Sequence, residues 1–111
     1  MNFTTEKAIY VQIADRLCDE ILTGKFADDE RIPSVREYAV LLEVNTNTTV
    51  KSYDLLEQQG VIYKKRGLGY FVTAGAKEKI LDERRREFME TRLPEMFRQM
   101  RMLGIGLEEV E

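Results

Sequence analysis

Residues 32–73 run as one unbroken series of folding signals, IPSVREYAVLLEVNTNTTVKSYDLLEQQGVIYKKRGLGYFVT, and their order leaves few folds open. Ser34, just after Pro33 and three residues before Glu37, makes a capping box. Val35, Tyr38, Ala39 and Leu42 then recur at i, i+3, i+4 and i+7, which predicts a short helix. Glu43-Val44-Asn45 forms a turn, and Asn45 is the N-cap of a second helix expected over about residues 46–59, stopped by Gly60. Thr49, Tyr53 and Leu56 share one face of that helix, while Asn47, Val50, Lys51 and Asp54 look elsewhere. Residues 61–65 and 70–73 are β-branched and aromatic runs, and the intervening Arg66-Gly67-Leu68-Gly69 tolerates positive φ, so the pair predicts a β-hairpin. Helix, turn, helix, hairpin is the order of a winged helix-turn-helix.

The flanks extend this plan. Over residues 8–23, Ile9, Ile13, Leu17 and Ile21 stand at i, i+4 spacing, with Tyr10, Ala14, Cys18 and Leu22 one position on. That is the broad apolar face of a helix, with Asp15, Arg16, Asp19 and Glu20 on its wet side. Gly24 is its stop, beside Lys25, and Cys18 reads as core filler rather than a reactive thiol. Residues 26–31, FADDER, read as a polar connector. Past the joint Ala74-Gly75 the chain becomes charge-dense helix with a thin apolar stripe, Ile80, Leu81 and Phe88. Pro94 opens a further helical segment carrying Met96, Phe97, Met100 and Leu103 on one side; Gly104 and Gly106 break it, and residues 107–111 begin another helix. Helices with so little to bury pack against another chain. The expected architecture is thus mainly α with a small β-hairpin: a winged helix-turn-helix in residues 1–74 and a short two-helix region in 75–111, pairing two copies through residues 77–110.

Composition removes other classes. With no histidine and one cysteine, the chain lacks the usual general base and any zinc-type ligand set, so no enzyme, cofactor or metal site is expected. Gly67-Leu68-Gly69 lacks the third glycine and following helix of a dinucleotide site. No apolar run reaches the roughly 18–20 residues of a membrane span. The opening MNFTTEK has no apolar signal region, and a lone cysteine suits a reducing compartment, so the cytoplasm is expected. The sequon Asn47-Thr48-Thr49 therefore carries no weight. A net charge of −3 and a pI near 5.2 speak against nucleic acid and keep a second reading open, a winged helix that binds a protein partner. Local charge decides between them.

That local charge supplies the candidate DNA contacts. The start of the second helix of the pair, Asn45-Thr46-Asn47-Thr48, offers short polar side chains and free backbone N–H groups. Asn47 can pair with an adenine edge, and Thr46 or Thr48 can bond phosphate or touch a thymine methyl. Asn45 either joins them or simply caps the helix. Arg36 can reach a phosphate or base edge, and Lys51, one turn along, a phosphate. Lys64, Lys65 and Arg66 run into the hairpin tip, where Gly67 and Gly69 allow close approach, which suits a minor groove or its flanking phosphates. Arg84-Arg85-Arg86, beside Asp82, Glu83 and Glu87, reads instead as a solvated helix face.

These residues carry a resemblance. Ile32-Pro33-Ser34-Val35-Arg36-Glu37, Val44-Asn45-Thr46-Asn47-Thr48 and Arg66-Gly67-Leu68-Gly69-Tyr70-Phe71-Val72 are similar, in order, to the LPSxRE, VNxNT and RGxGxFV motifs of the GntR family of bacterial transcription regulators, and Leu56-Glu57-Gln58-Gln59-Gly60-Val61-Ile62 resembles the family between the last two. Ile9-Tyr10-Val11-Gln12-Ile13 resembles that family's opening, and the short tail resembles its YtrA subfamily. The resemblance implies a homodimeric repressor on a palindromic double-stranded DNA operator, possible control of a transporter operon, and a two-helix tail with no room for the usual effector domain; any small-molecule effector is unknown. It places DNA contacts on Arg36, Thr46, Asn47, Thr48, Val50 and Gly67. Thr46 and Val50 stand where many members have arginine, so base preference does not carry over.

Overall fold

The computed structural model describes residues 2–111. Its elements are α1 (Ile9–Leu22), α2 (Val35–Leu42), α3 (Thr46–Gln58), the strands β1 (Ile62–Lys65) and β2 (Gly69–Val72), α4 (Ala76–Glu87) and α5 (Leu93–Leu103). Residues up to Ile80 form one compact unit and Leu81–Glu111 a second.

The first unit is built on the apolar faces predicted from spacing. Ile13, Ala14, Leu17, Cys18 and Ile21 of α1 are buried with Tyr38 and Leu42 of α2, Tyr53 and Leu56 of α3, and Val61, Ile62 and Val72 around the hairpin. Two glycines end helices as expected. Gly24 (φ +87) and Gly60 (φ +73) take left-handed backbone, so Lys25 N–H reaches the Glu20 carbonyl at 2.9 Å and Val61 N–H the Leu56 carbonyl at 2.9 Å. The capping box of α2 is complete: Glu37 N–H donates to Ser34 Oγ at 3.1 Å, and Ser34 N–H donates to Glu37 Oε1 at 3.0 Å.

Polar groups tie the helices at fixed points. The Tyr53 hydroxyl donates to the Pro33 carbonyl at 2.6 Å, and its ring meets Tyr70 edge-on at 5.0 Å. Tyr38 donates to the Glu20 carboxylate, which also pairs with Lys25 at 2.8 Å. Burial, then that hydrogen bond, raises the Tyr38 phenol far above its ordinary pKa; burial raises Tyr53 likewise. Ser52, fully buried on the inner face of α3, donates to the Tyr10 carbonyl at 2.7 Å and so joins α3 to α1.

Two features depart from the reading of residues 26–31 and of the joint at 74–75. The polar connector is a third edge to the hairpin: Asp29 N–H reaches the Val72 carbonyl at 2.8 Å, Val72 N–H the Glu30 carbonyl at 3.0 Å and Ile32 N–H the Tyr70 carbonyl at 3.0 Å. An exposed edge is held by backbone bonds and tolerates charged side chains, so FADDER looks like loop in sequence. Phe26 within it is buried. The first compact unit also runs past the joint, because Ala76 and Ile80 of α4 are buried in its core.

In the second unit α4 passes into α5 through a π-helical turn, Phe88–Arg92. Pro94 in the first turn of α5 explains the wide turn, since its ring would collide with the carbonyl of Glu90 in a regular α-helix. A single 3-10 turn, Leu107–Glu109, follows Gly104 and Gly106. No residue of Leu81–Glu111 is buried.

Candidate nucleic-acid interface

The turn between α2 and α3 sets which groups α3 presents. Glu43 adopts left-handed backbone (φ 57, ψ 47), and Val44 N–H reaches back to the Ala39 carbonyl at 3.0 Å, ending α2 abruptly. Asn45 then caps α3: its Oδ1 accepts from Asn47 N–H at 2.7 Å, so that oxygen is committed to the helix. Thr49 turns inward and donates to the Asn45 carbonyl at 3.2 Å. With its inner face sealed by Thr49, Ser52, Tyr53 and Leu56, α3 leaves Thr46 and Asn47 exposed and Thr48 half-exposed on its first turn.

The outer face of α3 changes character along its length. Asn47, Val50 and Lys51 are exposed at its start, whereas Asp54 and Glu57 are the exposed groups one to two turns on. Arg36 is exposed in the first turn of α2. Its neighbour Glu37 is held below the usual carboxylate range by the Ser34 amide and hydroxyl, with a smaller contribution from Arg31. That carboxylate is a cap.

The wing separates two residues that stand together in sequence. Register pairs Ile62 with Val72, Tyr63 with Phe71, Lys64 with Tyr70 and Lys65 with Gly69. Successive side chains point to opposite faces of the ribbon. Lys64 therefore lies with Tyr70, its ammonium 5.7 Å from the ring centre. Lys65 lies on the other face over the stacked rings of Tyr63 and Phe71, 4.8 Å from the Phe71 centre. Tyr63 is anchored in turn by donating to Asp29 at 2.8 Å. Arg66 and Gly67 form the exposed tip; a Cβ on Gly67 (φ +78) would meet nothing within 4 Å, so open space surrounds its backbone.

Gly69 (φ +111) differs from Gly67. A Cβ there would stand 3.1 Å from Nε of Arg31, whose side chain lies over the bare glycine. Arg31, absent from the candidates read in sequence, belongs to the wing. Its bridge to Phe71 is a pairing across 40 positions, and no local spacing announces it. Among the described residues no group of three or more His, Cys, Asp or Glu could hold a metal ion, and no helix is long and apolar enough to cross a membrane.

Comparison with known proteins agrees with this architecture. The family model for bacterial regulatory proteins of the gntR family matches residues 9–72. The transcriptional repressor YtrA of Bacillus subtilis is 30% identical over 102 residues, covering 92% of this chain and 78% of YtrA. A crystal structure of a GntR-family transcriptional regulator from Bacteroides thetaiotaomicron is 50% identical and superposes with a TM-score of 0.78, covering 93% of this chain and 89% of that one. A structure of AraR(DBD) in complex with operator ORX1 is 27% identical, with a TM-score of 0.58, covering 65% of this chain and 93% of that one. The chain therefore belongs to the gntR family of bacterial regulatory proteins, as a YtrA-like helix-turn-helix transcription regulator and not an enzyme.

Proposed function

We propose that this regulator is a repressor that binds a palindromic double-stranded DNA operator as a homodimer, acting in the cytoplasm where the chromosome lies. The carrying observation is the gradient along α3: polar, cap-ordered residues and Lys51 at its start, Asp54 and Glu57 further along. A helix laid flat in a groove would press those carboxylates against phosphates, at a Coulombic cost. Insertion by the N-terminal end avoids this and puts Asn47, Thr46 and Thr48 at base edges and Arg36 and Lys51 at phosphates. The wing, through Arg66, Gly67, Lys64 and Lys65, follows the neighbouring groove. Asn45 contributes through its cap, which orders the turn that reads DNA.

YtrA is named a repressor and AraR(DBD) is bound to an operator, which supports both parts of the proposal. Control of a transporter operon rests on the resemblance alone. Pairing of two copies is supported by the second unit, where Met96, Phe97 and Leu103 are 48%, 42% and 72% exposed.

Gel-shift titration of a duplex selected by the wild-type chain from a random pool tests the proposal. Arg36→Ala and Lys65→Ala should each weaken binding about tenfold or more while leaving the melting temperature unchanged, the size expected for one charge-assisted contact. Wild-type affinity in both variants would refute the contact assignment. A winged helix serving only a protein partner would select no duplex at all.

A further inference from the structure

Arg31 occupies a position that neither the sequence motifs nor the α3 gradient accounts for. Its backbone is fixed: the flanking Glu30 carbonyl and Ile32 amide are both bonded to β2, at 3.0 Å each, and Arg31 itself bridges Phe71. The guanidinium lies against Gly69, where an added Cβ would stand 3.1 Å from Nε, 3.6 Å from Nη2 and 3.8 Å from Cζ. Lys25, Arg86 and Arg98 are each paired with a glutamate, whereas Arg31 makes no salt bridge among the described residues and is exposed. Its charge also reaches the first turn of α2, where it helps lower the pKa of Glu37, the neighbour of Arg36.

Arg31 thus stands between the two cationic regions that the DNA reading requires to act together, the start of α2 and the wing. The planar guanidinium is a pre-organised fork, so less entropy is lost per hydrogen bond it makes to a phosphate than for a lysine. We infer that Arg31 is a further phosphate contact, gripping the DNA backbone between the groove entered by α3 and the groove followed by the wing. This rests on the DNA reading above and deepens it.

The test uses the full chain and a duplex it selects from a random-sequence pool, with affinity measured at several salt concentrations. Loss of one phosphate contact lowers the slope of log K against log salt by about 0.9. Arg31→Ala should show that loss with about a tenfold drop in affinity, no change in melting temperature, and no change in which bases are preferred. Arg31→Lys should recover the slope. An Arg31→Ala chain with wild-type slope and affinity overturns the inference and leaves the DNA reading standing. A lowered melting temperature with an unchanged slope also overturns it, because Arg31 would then be only a brace for the wing. A wild-type chain that selects no duplex overturns the DNA reading, and the contact with it.

Discussion

The two units of this chain treat apolar residues in opposite ways. In the first, Ile13, Leu17, Tyr38, Tyr53, Leu56, Ile62 and Val72 are all within 1% of complete burial. In the second, no residue is buried, and Phe88, Met89, Met96, Phe97, Met102 and Leu103 are each more than 40% exposed. Regular helices form in both, so secondary structure is not what distinguishes them. The winged helix gains its hydrophobic stabilisation within one chain; the tail withholds the same kind of side chain from any core of its own. Apolar surface of this extent on ordered helix is what the proposed pairing of two copies would cover.

Substitution should expose the contrast, most strongly at Tyr53. Removing its ring leaves a cavity among Tyr38 and Tyr70 and orphans the Pro33 carbonyl. Tyr53→Ala should cost about 3–5 kcal/mol in urea unfolding, a large part of the total for so small a domain. A cost under about 1 kcal/mol would break the claim that the first unit carries its own core. Phe97→Glu is the counterpart. It should leave the unfolding of the first unit nearly unchanged while raising the dimer dissociation constant about 100-fold, read by sedimentation velocity across concentrations, as expected for a charge placed at a packed anchor. A wild-type chain that sediments as a monomer at micromolar concentration would remove the partner from the argument altogether.

Smaller effects belong to the α2 cap. Ser34→Ala should cost about 1 kcal/mol at neutral pH. Glu37, held below the usual carboxylate range by the Ser34 amide and hydroxyl, gives the acid limb. Its folded pKa lies below its unfolded one, so its contribution is complete above the unfolded value and is lost as pH falls through the folded value. Glu37→Gln still accepts the Ser34 amide but cannot titrate, so its stability should fall less than wild type's between neutral pH and about pH 3. Equal losses in the two chains would show that Glu37 does not contribute to the acid limb.

How much of this was legible in sequence follows from how local each determinant is. The capping box at Ser34 and Glu37, the stops at Gly24 and Gly60, and the Asn45 cap lie within a few residues of the groups they satisfy, and spacing alone locates them. The hairpin strands and the inner face of α3 follow from periodicity for the same reason. The third edge, residues 29–32, pairs with β2 some 40 positions away and offers charged letters, so neither period nor composition marks it. Arg31 was missed with it. Ser52 hides similarly, as a polar residue buried because a carbonyl 42 positions distant accepts its proton. Lys64-Lys65-Arg66 reads as one basic patch, yet strand alternation sends Lys64 to the Tyr70 face and Lys65 to the Phe71 face. That split was open to inference from the hairpin itself.

The finest comparison lies between the ends of α2 and α5, where the backbone is nearly the same and the residue is not. Glu43 ends α2 at φ 57, with its N–H on the Val40 carbonyl at 3.2 Å and Val44 N–H on Ala39 at 3.0 Å. Gly104 ends α5 at φ 69, with its N–H on Arg101 at 3.3 Å and Ile105 N–H on Met100 at 2.9 Å. A side chain in left-handed backbone costs roughly 1–2 kcal/mol, and glycine escapes that cost while losing about 0.5–1 kcal/mol of extra chain entropy on folding. Glu43→Gly should therefore stabilise the first unit by about 0.5 kcal/mol, raising its urea midpoint without altering the slope. Gly104→Ala should weaken the end of α5 in the opposite sense, seen as faster amide exchange at Ile105, since open space around Gly104 leaves backbone strain as the only penalty. If Glu43→Gly destabilises instead, the Glu43 side chain contributes to the turn between α2 and α3 beyond its backbone. The turn that aims α3 would then be held by a side chain, not by backbone geometry alone.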